Sequence, residues 1–176
     1  NLFTIDLIDG RVEQITNFVG RNVYSPDWSA DGTAIVYQSD SEFYIWDVMQ
    51  STERLLETDL SGAFPTWSPD GQWIGYQRSE DGWKTLLLPR SGGKAIRVGL
   101  GVEHVSQVPS WSRDGRHLVY HGGKKAKAPL IVHELSDQSE RVLVDTLSRV
   151  GWYWGSWSPD SRMLTFMNDE FQLESQ

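Results

Sequence analysis

The stretch Pro-Thr-Trp-Ser-Pro-Asp-Gly at residues 65–71 decides the fold, because the chain repeats it at near-regular intervals. Related stretches stand at residues 26–32, 109–115 and 155–161, and their tryptophans are separated by 39, 44 and 46 residues. Periods of this length are typical of propellers and other repeat architectures. The four tryptophans are Trp28, Trp67, Trp111 and Trp157.

A strand of constant pattern follows each motif. An aliphatic residue stands seven positions after the tryptophan and an aromatic residue stands nine positions after it. This period of two predicts a β-strand. The residues are Ile35 and Tyr37, Ile74 and Tyr76, Leu118 and Tyr120, and Leu164 and Phe166.

Two further strands complete each repeat. In the first complete repeat the pattern predicts strands near residues 23–28, 33–38, 43–48 and 53–57. No segment has a helical pattern, so the sequence predicts an all-β fold, a β-propeller built of four-stranded antiparallel blades with four repeats in this chain. The third strands are predicted at Phe3–Leu7, Phe43–Val48, Thr85–Leu88 and Leu130–Leu135, and the fourth strands at Val12–Thr16, Glu53–Glu57, Lys94–Val98 and Glu140–Val144.

The motif itself predicts a tight turn. Its Ser and Asp side chains can accept backbone N–H bonds, and its Gly can adopt the positive φ that such turns use. Because these polar residues recur once per repeat, turn structure explains them better than catalysis or metal binding does. Ser161 replaces the glycine in the fourth copy, so we expect a looser turn there. We expect the four tryptophans to be buried at equivalent places between blades.

Composition narrows the class of protein. The net charge of −8 and the pI of about 4.9 argue against a nucleic-acid partner, because such partners select basic surfaces. The chain has no cysteine, which excludes disulfides and thiolate metal sites. No apolar run has the length of a membrane span, and no secretory leader is visible.

The repeated Pro-x-Trp-Ser-Pro-Asp-Gly pattern, followed by an aliphatic–x–aromatic strand, resembles the TolB-type β-propeller repeat over nearly the whole chain. The resemblance implies a propeller. It leaves the function open, since the repeat occurs in periplasmic Tol-system proteins and in the propeller domains of tricorn-like and prolyl-oligopeptidase-like proteases. A periplasmic location would follow if the resemblance extends to location, and a cytoplasmic one otherwise.

Ring closure has three readings. The chain would form a single propeller domain or segment over residues 1–176, with repeats at about 17–58, 59–98 and 99–144. A fourth repeat at 145–168 would be completed by residues 1–16, since the two ends carry complementary half-blades. Alternatively, a homodimer would complete a larger ring, or the chain is a fragment whose remaining blades lie elsewhere.

Motifs of common enzymes are missing or incomplete. There is no Gly-x-Ser-x-Gly nucleophile elbow. His133-Glu134 begins a zinc-protease motif, but Asp137 stands where the second histidine belongs. The glycines at 99 and 101 are not followed by a third glycine or a helix. We therefore predict no catalytic residue, no metal and no cofactor.

Binding residues are expected on the face formed by the fourth-to-first and second-to-third strand connections, which are the longest here. Aromatic residues near the starts of first strands would anchor a partner there or, alternatively, pack between blades. A lysine cluster at 124–127 would attract an acidic peptide or simply be solvated. His117, His121 and His133 are expected to be structural. The candidate binding residues are Tyr24, Phe64, His104, Gln107, Lys124, Lys125, Trp152 and Tyr153.

These patterns favour a non-enzymatic propeller of the TolB-like type that binds a protein or peptide, or acts as a scaffold. One alternative is a propeller domain accessory to a peptidase, which a downstream nucleophile-elbow domain would reveal. Another is a propeller lyase or hydrolase with a site in its channel, which would need clustered histidine, lysine and carboxylate side chains there. No membrane insertion is expected.

Overall fold

The computed structural model describes residues 1–57, 62–79, 83–99, 110–122, 129–145 and 155–166. Within these ranges the chain forms sixteen β-strands and no helix. In chain order they are β1 Phe3–Ile5, β2 Val12–Gln14, β3 Val23–Trp28, β4 Ala34–Ser39, β5 Glu42–Asp47, β6 Thr52–Glu57, β7 Gly62–Trp67, β8 Trp73–Ser79, β9 Trp83–Pro89, β10 Ile96–Val98, β11 Ser110–Trp111, β12 His117–His121, β13 Leu130–Glu134, β14 Glu140–Val144, β15 Ser156–Trp157 and β16 Leu164–Thr165.

Three complete blades follow one another along the chain. They are the four-stranded antiparallel sheets β3–β6, β7–β10 and β11–β14, and each is ordered as its strands occur in the sequence. The expected all-β architecture of four-stranded antiparallel blades is confirmed. We call the two-stranded sheet β1–β2 the N-terminal half-blade and the two-stranded sheet β15–β16 the C-terminal half-blade.

The core lies between neighbouring blades and is centred on the second strands. All six residues of β4 are buried, because a blade in a stack is covered on both faces. The aromatic residues nine positions after the tryptophans in the complete blades, Tyr37, Tyr76 and Tyr120, are at most 1% exposed. The aliphatic–x–aromatic pattern therefore marks the most deeply buried strand of each blade.

The four motif tryptophans are not equally buried, contrary to expectation. Trp67 is 5% exposed, Trp111 and Trp157 are half-buried, and Trp28 is 49% exposed. Trp67 packs against Ala34, Val36 and Ile45 of the preceding blade. The sheet in front of Trp28 is the N-terminal half-blade, which has two strands among the described residues and leaves half of the ring in water.

The fourth turn keeps the form of the other three, so the expectation of a looser turn was wrong. Ser161 adopts φ 59°, close to the φ 67° of Gly71. Its N–H donates to the Ser158 carbonyl at 3.0 Å, as the N–H of Gly71 donates to the Ser68 carbonyl at 2.9 Å. Ser161 Oγ also accepts the backbone N–H of Asp114 at 3.0 Å, a contact with the preceding blade that a glycine could not make.

The composite blade is not formed in this structure. β1 pairs with β2 and β15 pairs with β16, and the two half-blades are separate sheets among the described residues. A pairing between β1 and β16 needs the two ends of the chain to meet, and the sheets are not closed into a ring. The division of the chain into four repeats stays a prediction.

Candidate binding face

The antiparallel order of each blade divides the connections between two opposite faces. The starts of the first and third strands and the ends of the second and fourth strands lie at one face, which we call the loop face. Turns from first to second strands and from third to fourth strands lie on the other, which we call the turn face. The candidate binding residues of the sequence analysis are expected on the loop face.

Polar residues of the turn face serve the turns. In each repeat the motif Ser Oγ donates to the motif Asp at 2.5–2.6 Å and accepts the backbone N–H at the start of the second strand. The Asp oxygen that accepts the Ser hydroxyl also accepts the backbone N–H of the residue two positions after the Asp. These bonds hold the pKa values of Asp31, Asp114 and Asp160 below their usual range. The turn interpretation of the motif is confirmed.

Only two of the predicted binding residues fall within the described ranges, Tyr24 and Phe64. Tyr24 lies at the loop-face end of β3 and is 48% exposed. Phe64 lies in the neighbouring first strand, β7, and is half-buried. His104, Gln107, Lys124, Lys125, Trp152 and Tyr153 lie outside the described residues, so their roles stay predictions.

A β-bulge interrupts both first strands just inside the loop face. The pairing of β3 with β4 shifts between Tyr24 and Asp27, and the pairing of β7 with β8 shifts between Ala63 and Thr66. Ser25 and Phe64 occupy these bulges with φ angles of 49° and 66°. A left-handed conformation costs a non-glycine residue about 1–2 kcal/mol, and bulges re-aim side chains at barrel rims and binding sites. Phe64 is thus the counterpart of Ser25, not of Tyr24.

Arg21 organises the described part of the loop face. It lies in the connection between β2 and β3, and its Nε donates to Asp40 Oδ2 at 3.0 Å. Its two terminal nitrogens donate to the Glu42 carboxylate and, at 3.3 Å, to the Tyr44 hydroxyl. The guanidinium also stacks over the Phe18 ring, with its central carbon 5.1 Å from the ring centroid.

The charges of this cluster do not balance. One guanidinium faces two carboxylates, and its hydrogen bonds hold the pKa of the Glu42 carboxyl below its usual range. The same contacts raise the pKa of Arg21, which stays protonated. With one guanidinium against two carboxyl groups, the cluster is formally net negative, and its side chains are partly exposed. It can fix the β2–β3 connection and present carboxylate oxygens and aromatic edges to a partner.

A row of polar side chains, which the sequence analysis did not identify, links successive first strands. Asp27 Oδ2 accepts the backbone N–H of Trp67 at 2.7 Å. Thr66 Oγ1 accepts the indole N–H of Trp111 at 3.1 Å, and Ser110 Oγ donates to the Gly155 carbonyl at 3.0 Å. The signal was present, because the residue just before each motif tryptophan is Asp, Thr, Ser and Ser in turn.

His133 belongs to a buried hydrogen-bond group within its blade. His133 is 6% exposed and its Nδ1 lies 3.3 Å from Glu140, which also accepts the Tyr120 hydroxyl at 2.7 Å. The Tyr37 hydroxyl makes the equivalent bond to Glu53 at 2.7 Å. Burial raises the pKa of both tyrosines. Because the Tyr–Glu pair recurs in two blades, we assign it to blade stability.

The described residues hold no cluster of three or more metal-ligating side chains. The described residues also form no helix that is long and apolar enough to cross a bilayer.

Comparisons with a family model and with a known protein point to the same family. Residues 1–174 match the family described as the TolB beta propeller domain. The Tol-Pal system protein TolB of Alcanivorax borkumensis is 33% identical over 91 residues, which are 47% of this chain and 21% of that protein. This chain therefore spans only about a fifth of the length of that relative.

Solved structures share the fold at low identity. TolB from Acinetobacter baumannii superposes with a TM-score of 0.69 and 18% identity over 92% of this chain and 41% of its own. A prolyl endopeptidase superposes with a TM-score of 0.69 and 15% identity over 88% of this chain and 27% of its own. At these identities the likeness concerns the fold alone.

Proposed function

Because the chain belongs to the TolB β-propeller domain family, we propose that it is a non-enzymatic module that binds a protein or peptide partner through its loop face. The observation that carries the proposal is that the polar residues of the repeated motif form hydrogen bonds within the turns. In the four described turns the motif serines and aspartates bond to one another and to the turn backbone, so turn structure accounts for them.

Features of the described part of the loop face support the proposal. Tyr24 presents a half-exposed ring beside the bulge of β3. Aromatic anchors of this kind carry much of the binding energy in protein interfaces. The net-negative Arg21 cluster and the overall charge of −8 favour a partner with basic groups. Lys124 and Lys125 remain the candidate positions for an acidic group of the partner.

A second candidate function is a propeller domain that accompanies a peptidase. It is favoured by the structural likeness to a prolyl endopeptidase, of which this chain would cover 27%. The two functions differ in what else the gene encodes. A Gly-x-Ser-x-Gly domain in the same reading frame would select the peptidase-associated function.

Selection from a random peptide display library, followed by calorimetry with the selected synthetic peptides, tests the binding proposal. Tyr24→Ala and Phe64→Ala should weaken binding at least tenfold, because each removes an aromatic side chain of the loop face. Met49→Ala is the matched control, since Met49 is 84% exposed on the turn face. Peptides that bind equally well to all three variants, or a selection that yields no binder, would contradict the proposal.

A further inference from the structure

A surface cavity of about 630 Å³ lies on the turn face, where the first and second complete blades meet. The first blade contributes its outer strand β6, and the second contributes the start of β8 and the turn between β9 and β10. Two arginines line the cavity, and none of the described lining residues carries a carboxylate. The lining residues are Arg54, Gln72, Trp73, Pro89, Arg90 and Ser91.

The guanidinium of Arg54 has hydrogen-bond donors to spare. Its Nη2 donates to the Arg90 carbonyl at 2.5 Å, which is the only hydrogen bond of this side chain to the part of the chain that the structure describes. The adjacent acid, Glu53, does not neutralise it, because side chains alternate along a strand and Glu53 accepts the Tyr37 hydroxyl at 2.7 Å. A guanidinium has five N–H donors, so most of those of Arg54 are available to a ligand.

Arg90 stands where the other two complete blades have an aliphatic residue, Val48 or Leu135. The backbone N–H of each of the three donates to the carbonyl just before the second strand of its own blade, which establishes the equivalence. The Arg90 guanidinium reaches back to the first blade, with Nη2 donating to Thr33 Oγ1 at 3.0 Å and Nη1 3.4 Å from Asp31 Oδ2. This single carboxylate offsets one of the two guanidinium charges, so the cavity keeps an excess of positive charge.

The turn between β9 and β10 leaves room beside the free guanidinium. Gly92 stands where the equivalent turns have Gln50 and Asp137. A Cβ on Gly92 would lie 3.6 Å from Arg54 Nη1, so a longer side chain there would fill the space, and an acidic one would neutralise the arginine. The hydroxyl of Ser91, an exposed residue of the same turn, adds a donor without adding negative charge.

We propose that this cavity binds a phosphate group, with Arg54 as the principal ligand and Ser91 and Gln72 as further donors. A phosphate group carries a charge of about −1.5 to −2 at neutral pH and has at least three acceptor oxygens, which suits a donor-rich lining with excess positive charge. One guanidinium can bind two of these oxygens at once. Free phosphate and a phosphate monoester share this chemistry. The site lies on the turn face and is independent of peptide binding at the loop face.

Titration of ¹⁵N-labelled protein with inorganic phosphate at constant ionic strength, followed by amide NMR, tests the site. The resonances of Ser91, Gly92 and Gly93 should shift and saturate. Arg54→Gln should weaken binding about tenfold or more, because a charge-assisted, two-oxygen contact is lost while a donor for the Arg90 carbonyl remains. Arg141→Gln is the matched control, since Arg141 has the equivalent place on the outer strand of the third blade, and it should bind as the wild type does.

A second variant and a second ligand complete the test. Ser91→Asp, at an exposed position, should abolish binding by placing a carboxylate in the cavity. Glycerol phosphate, titrated in parallel, identifies a monoester as the ligand class if it binds more tightly than inorganic phosphate, and free phosphate if it does not.

Four results would overturn the phosphate site. They are the absence of saturable shifts up to about 20 mM phosphate, wild-type affinity in Arg54→Gln, an equal loss in Arg141→Gln, and acetate binding as tightly as phosphate at the same ionic strength. Each of them leaves peptide binding at the loop face untouched, so the two proposals fail separately.

Discussion

Replacing Trp67 by alanine should destabilise the protein more than an equivalent change at any other motif tryptophan. Trp67 is 5% exposed, the lowest value among the four, and packs between two complete blades against Ala34, Val36, Ile45 and Ile74. Truncating a buried tryptophan costs about 3–5 kcal/mol, from lost apolar burial and from the cavity that remains.

Two further contacts of the indole adjust this value in opposite directions. The guanidinium of Arg90 lies over the ring, with its central carbon 5.2 Å from the centroid, and its loss adds about 0.5–1 kcal/mol. The indole N–H is buried without a hydrogen-bond partner, so its removal relieves a cost of about 1–3 kcal/mol. The backbone bond from Trp67 to Asp27 survives the substitution. The expected net loss is therefore about 3 kcal/mol.

Urea denaturation followed by far-UV circular dichroism measures the change, since the remaining tryptophans complicate fluorescence. Trp28→Ala is the matched control. It should cost about 1–2 kcal/mol, because half of that side chain is already in water. A loss below about 1 kcal/mol for Trp67→Ala, or equal losses for the two variants, would refute the assignment of Trp67 to the junction between blades.

Two other substitutions probe the backbone and the row of polar side chains. Gly62→Ala should cost about 3 kcal/mol, because its Cβ would lie 1.8 Å from the Gln77 carbonyl oxygen, whereas Gly32→Ala, with open space around its Cβ, should cost only the left-handed strain of about 1–2 kcal/mol. Thermal melts of the two variants check this, and equal melting temperatures would contradict it. Burial raises the pKa of Asp27 in the folded protein. The stabilisation that comes with this raised pKa is fully present below the unfolded pKa of about 3.9, and it is lost as the pH rises through the folded pKa. Asp27→Asn keeps an acceptor for the Trp67 N–H. In urea titrations from pH 3 to 7, the free energy of unfolding of this variant should increase relative to that of the wild type as the pH rises. A relative decrease with rising pH would contradict this.

Strand positions could be predicted closely because the signal is local and repeated. The strands predicted at 23–28 and 53–57 are observed at Val23–Trp28 and Thr52–Glu57. Four copies of one pattern average out the ambiguity of any single copy. The candidate site was less accessible to this reasoning, because a bulge shifts the register by a residue and makes Phe64 the counterpart of Ser25.

The Arg21 cluster was also missed, for a different reason. Its members come from the β2–β3 connection, the β4–β5 turn and strand β5, which are far apart in the sequence. No repeated sequence pattern predicts such a contact. The polar row of the first strands did have a periodic signal, the polar residue before each tryptophan, which becomes informative only when the neighbouring strand is known.

The sequence by itself determined the blades and their turns, because these depend on partners a few residues apart. Ser68, Asp70 and Trp73 bond within a single turn, and the same bonds form in every copy. Only the tertiary structure decided what each copy packs against. Trp28 and Trp67 stand in equivalent motifs, yet one is half exposed and the other buried, because burial depends on the blade in front of each residue and not on the residues beside it in the chain.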